Sequence, residues 1–134
     1  MSKTSGKTQP CDQRVRAGRL AKARQFQGAA EMIATLTSGG VDVEDAYVTM
    51  CVHAGIAAAD VICCARLGEH SRGHDHNEAV ELLATVDKKM ASHLNTLLRM
   101  KTRSGYSAVA SSTGEIKQAG RAAGALVEYA SDVH

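Results

Sequence analysis

The stretch from Val43 to Leu67 constrains this chain more than any other. Apolar residues follow helical spacing on two faces at once: Val43, Ala46, Tyr47, Met50, Ala54, Ala57, Val61 and Ala65 on one, and Val48, Val52, Ile56, Ala59 and Cys63 on the other. A helix that is apolar on two faces has to be covered on both. The segment is therefore expected at the centre of a bundle, or with one face closed by a second subunit. Asp42 suits the N-cap and Gly68 the position just past the C-terminus.

The rest of the chain supplies helices to cover it. A first helix is expected from about Asp12 to Thr37, with Val15, Lys22, Phe26, Ala29, Ile33 and Leu36 near the helical period and Gly39-Gly40 as its stop. Asp75 and Glu78 resemble a capping box that opens a third helix, carried by Ala79, Leu83, Val86, Met90, Leu94 and Leu97 to about Lys101, with a break near Asp87. Ser112 and Glu115 repeat the box before a fourth helix marked by Ile116, Ala119, Gly120, Ala123, Val127 and Ala130. No segment alternates in the manner of a strand. The expected fold is all-α, an up-and-down four-helix bundle.

Its 134 residues suffice for one core and not comfortably for two. Residues 1 to 10 are polar and end at Pro10, so they are expected to form a disordered arm ahead of a helical domain from 11 to 134. The arm has no apolar stretch behind its charges, and the longest apolar run, Val48 to Ala65, is interrupted by Thr49, His53 and Asp60. These features point to a cytoplasmic protein without a membrane partner. Adjacent Cys63 and Cys64 in a helical pattern, with no secretory signal, read as free thiols.

The net charge of +2 conceals an uneven distribution. Lys3, Lys7, Arg14, Arg16, Arg19, Lys22 and Arg24 are opposed only by Asp12 over the first thirty residues. That is a candidate footprint for phosphates or an acidic partner. Arg14, Arg16, Arg19, Lys22 and Arg24 are its candidate phosphate contacts, with Arg72, Lys101 and Arg103 as a second patch. Scarce aromatic residues argue against base stacking as the main mode of binding.

Three of the six histidines, His70, His74 and His76, fall between Gly68 and the third helix, close to Cys63 and Cys64. Imidazole and thiolate are metal ligands, yet the glycines at 68 and 73 interrupt the helix that would align His70 with His74, and no pattern of fixed ligand spacing is present. No metal or cofactor is expected; a metal-binding helical protein is the weakest of three functional readings. His53 and Asp60 are the ionisable residues inside the apolar helix. Seven residues, about 10 Å of rise, separate them, so each needs a partner from another helix or a shared cleft.

The run from Ala46-Tyr47 through His53-Ala54-Gly55-Ile56-Ala57-Ala58-Ala59-Asp60, the loop His70 to His76, and Leu94 through Arg99 to Tyr106 together resemble the HEPN superfamily of small bacterial helical bundles. The resemblance implies a homodimer, an association with nucleotidyltransferases or toxin-antitoxin systems and, in active members, RNA cleavage by an Arg and a His with four to six residues between them. Here Arg66 to His70 and Arg72 to His76 enclose three residues and Arg66 to His74 seven, and Gly105 stands where an Asp precedes the tyrosine. The expectation is thus a non-catalytic HEPN-like module that binds nucleic acid or a partner protein. The alternative is a metal-independent endoribonuclease, toxin-like, built on Arg72, His74 and His76.

Overall fold

The structure, a computed structural model, describes residues 8–38, 42–72 and 76–134. Five helices dominate it: α1 (Gln13–Ser38), α2 (Glu44–Leu67), α3 (His76–Ala84), α4 (Lys88–Tyr106) and α5 (Thr113–Val133). A two-stranded antiparallel ribbon, β1 (Thr8–Pro10) and β2 (Glu69–Ser71), pairs Gln9 with His70. The protein is largely helical, as its periodicities require.

α2 is the central element, with α1, α4 and α5 packed around it. Twelve of its residues are buried, Val48, Val52, Val61 and Ile62 completely. Both apolar faces are covered by helices of the same chain, so coverage of α2 does not call for a second subunit. α2 is also the one helix among the described residues long and apolar enough to cross a membrane, but 67% of that window is buried inside the protein. Its apolar character is that of a core helix.

Close packing depends on small residues. A Cβ placed on Gly55 would collide with Leu97 of α4 and lie 3.3 Å from Leu126 Cδ1 of α5, so glycine lets both leucines close on α2. From α4, Met90, Ala91, Leu94, Leu97 and Met100 reach the core; from α5, Ala119, Ala122, Ala123, Leu126, Val127 and Ala130 do. α1 contributes Leu20, Ala23 and Ala30, with Phe26 partly buried. The expected face is corrected at its ends, because Val15 is 40% and Leu36 50% exposed. Ala23 and Ala30, both buried, lie on the side of α1 that packs into the core.

Helix ends follow side-chain chemistry with two departures from expectation. Asp12 accepts from Val15 N at 2.9 Å, Asp87 from Met90 N at 2.9 Å, and Ser112 with Glu115 forms the reciprocal capping box. The cap at Asp87 explains why the expected third helix is two helices, α3 and α4. Val43, not Asp42, caps α2, and no side chain bonds the free amides there. Asp45 in that first turn instead accepts from Ser111 N at 2.9 Å and Ser111 Oγ at 2.6 Å, which ties the α4–α5 connection to α2. Gly68 ends α2 in the left-handed region at φ 74°, as its position implies. Gly39, Gly40 and Asp75, assigned to a helix stop and a cap, lie outside the described residues.

The N-terminal arm departs most from its composition. Thr8–Pro10 form β1 rather than part of a disordered arm, and Cys11 N donates to Gly68 O at 3.0 Å. A disulfide joins Cys11 to Cys64, which corrects the expectation of a free thiol at 64; Cys51 and Cys63 are free and buried. Consecutive helix positions point about 100° apart. Cys63 thus faces the core while its neighbour meets the incoming chain. Burial pushes the Cys63 thiol up to about 12 and the Cys51 thiol up to about 11, so neither is a thiolate at neutral pH.

Candidate functional site

Three helices each present a stripe of mixed polar and apolar residues to a common cleft of about 460 Å³. On α2 the stripe is His53, Ile56 and Asp60, at helical spacing; on α4 it is Leu94, Leu98 and Lys101; on α1 it is Val15 and Arg19. The ribbon closes the remaining side with Gln9, His70, Ser71 and Arg72, and His76 opens α3 at the rim. The volume falls in the range of small-ligand clefts.

Asp60 organises the floor. Arg19 reaches it with two nitrogens, Nη2 at 2.8 Å and Nε at 3.0 Å from Oδ2, and His70 Nδ1 lies 3.7 Å from Oδ1. Burial pushes the Asp60 carboxyl above the usual carboxylate range, and the Arg19 and His70 charges pull it back. The partner that Asp60 requires is therefore an arginine from a different helix. Asp60 is the one carboxylate among the described residues that line the cleft.

His70 is held from both ring nitrogens. Nδ1 lies 2.7 Å from Ser71 O and Nε2 lies 3.2 Å from Gln9 Nε2, a pair of bonds that suits a hydrogen on Nδ1 with Nε2 accepting from the Gln9 amide. Arg72 Nε donates to Thr8 O at 3.1 Å. β1 thus contacts two of the cationic or basic groups on the rim. His53 stacks on Phe26 of α1, with centroids 5.2 Å apart and rings tilted by 32°. Desolvation and the Lys101 ammonium lower its basicity, so the imidazole is held neutral at neutral pH.

Of the residues that the sequence nominates, Arg19, Arg72 and Lys101 come together here, drawn from both expected basic patches. The others do not join them. Arg14 and Lys22 are exposed on α1, Arg16 is half-buried, and Arg24 Nη2 donates to Ser131 Oγ at 3.3 Å. Arg103 Nη1 pairs with Glu115 at 3.0 Å, which commits it to joining α4 to α5. Arg72 and His76 share the cleft, whereas His74 lies outside the described residues. The sequence offers no signal for Gln9, whereas His53, His70 and Asp60 stand out in it without a reason to assign them to one site. His53 and Asp60 are polar interruptions on one stripe of an apolar helix, and His70 belongs to the histidine loop.

Among the described residues no three His, Cys, Asp or Glu side chains are placed to hold one metal ion. Cys64 is occupied in its disulfide. Chemically the cleft offers guanidinium and ammonium groups to an anion, neutral imidazole beside them, and an apolar back wall. No protein-family model, curated protein or solved structure matches the chain.

Proposed function

We propose that this protein is a non-catalytic binding module, HEPN-like in type, whose cleft receives the phosphate backbone of an RNA strand. The observation that supports it is the convergence of Arg19 from α1, Arg72 just past β2 and Lys101 from α4 on a cleft where Asp60 is the one carboxylate among the described lining residues. Guanidinium and ammonium groups neutralise phosphates without reading sequence, and no Phe, Tyr or Trp lines the cleft to stack a base. α1, α2, α4 and α5 supply the four long helices of the proposed bundle. The proposal includes a cytoplasmic setting and a homodimer, for which exposed Met32 and Leu36 on α1 offer an apolar surface.

A second reading is favoured by one fact, the presence of His53, His70 and His76 beside these cations. General acid and base groups next to a cation are what metal-free RNA cleavage requires. A fluorescein-labelled RNA oligonucleotide followed by anisotropy and by gel, with wild type and a His53→Ala, His76→Ala variant, separates the two. Binding without cleavage is the expected result. Cleavage in the presence of a chelator that the variant loses would replace the module with a ribonuclease; no binding at low salt would leave a protein partner.

A further inference from the structure

Residues 1 to 10 have a composition that does not order by itself, yet Thr8–Pro10 lie as a strand on the edge of the cleft. A two-stranded ribbon of three residues a side is marginal in water. Thr8 Oγ1, moreover, is buried with no hydrogen-bond partner among the described residues, which works against the strand. What holds β1 in place is the covalent bond one residue beyond it, from Cys11 to Cys64 in the last turn of α2. The bond spans 53 residues, so its loss returns considerable freedom to the arm.

We propose that the Cys11–Cys64 disulfide is a redox latch on the cleft: formed, it seats β1 on the rim and completes the anion site; reduced, it releases β1 and slackens Arg72 and His70. The connection is direct, because Thr8 O holds Arg72 Nε and the Gln9 amide holds His70 Nε2. A site whose groups are fixed in advance binds more tightly than one that must order them. The latch acts by order and disorder of a short segment, a recognised form of switch.

The chemistry is thiol–disulfide exchange with a dithiol reductant. Cys64 is 3% exposed whereas Cys11 is partly open, so a reductant thiolate attacks Cys11 Sγ and Cys64 Sγ leaves with the electron pair, taking up a proton. The second thiol of the reductant then attacks its own mixed disulfide, releases the Cys11 thiolate for protonation, and leaves the reductant as a disulfide. Two electrons and two protons pass to the protein. Asp12 O, 3.7 Å from Cys64 Sγ, can accept from the new thiol. In a reducing compartment a disulfide is commonly of this transient, sensing kind.

The inference rests on the anion-site reading for its consequence but not for its primary test. Amide hydrogen exchange of the full chain, oxidised and with excess dithiothreitol, is compared at residues 8–11 and 69–71, with α5 as the internal reference. Exchange at the ribbon should quicken at least tenfold on reduction while α5 is unchanged. Cys11→Ser without reductant should match the reduced protein and be insensitive to dithiothreitol. Equal ribbon protection in both redox states overturns the latch, as does mass spectrometry showing no Cys11–Cys64 bond in oxidised protein. The labelled RNA should bind at least fivefold more weakly after reduction, and equal measurable affinity in both states overturns control of the site. If neither state binds RNA, the anion-site reading falls, and the exchange result alone sustains or overturns the latch.

Discussion

Asp60 and Arg19 show how one buried carboxylate is reconciled with a helical core. With the Arg19 and Asp60 side chains 32% and 16% exposed, the pair is neither a surface ion pair of little worth nor a fully dry one. Asp60 has a folded value above the ordinary 3.8 because desolvation outweighs its partners. Its contribution to stability is therefore most favourable at low pH and is lost as pH rises from 3.8 through the folded value. Removing Arg19 raises the folded value further. Arg19→Ala should accordingly cost about 1–2 kcal/mol at neutral pH, after discount for partial exposure. That penalty should shrink as pH falls below 3.8, where Asp60 is protonated in folded and unfolded chains alike. Urea unfolding across that range checks it, and a penalty independent of pH would show that Arg19 acts by packing rather than charge.

Elements in this fold are set by local chemistry, and their contacts by side-chain size. Gly55 is the clearest case, since Leu97 and Leu126 occupy the space its side chain would take. Both leucines are fully buried, so neither can swing aside. Gly55→Val should destabilise by about 1–3 kcal/mol through overpacking, read as a lowered urea midpoint with little change in slope. The helices themselves were legible in the sequence: the two-faced pattern of α2, the capping box at Ser112 and the break near Asp87 each follow from residues within a few positions. The ribbon was not. Nothing in Thr8-Gln9-Pro10 alternates, and the strand pairs with a distant segment, Glu69–Ser71, beside a disulfide whose cysteines are 53 positions apart. On α1 the buried positions are Leu20, Ala23 and Ala30, whereas Val15 and Leu36 at its ends are exposed.

At the scale of the whole molecule, the cleft is a product of convergence. The sequence presents two basic patches, one on the first helix and one beyond the histidine loop; folding takes Arg19 from the first and Arg72 and Lys101 from the second and sends Arg103 to Glu115 instead. Helical spacing separates Lys101 from Arg103, because Lys101 follows Leu94 by seven residues and Leu97 by four and so shares their side of α4. The charge that matters is thus a matter of direction more than of count. Under the proposed function this cleft, and not basicity at large, carries the binding. The salt dependence of RNA affinity tests it most directly, measured for wild type, for Arg72→Ala with Lys101→Ala, and for exposed Arg14→Ala with Lys22→Ala. Loss of two phosphate contacts should lower the slope of log affinity against log salt by about 1.5 in the cleft pair, with a smaller change in the exposed pair. A cleft pair that keeps the wild-type slope, while the exposed pair loses it, would place binding on the outer face of α1 instead.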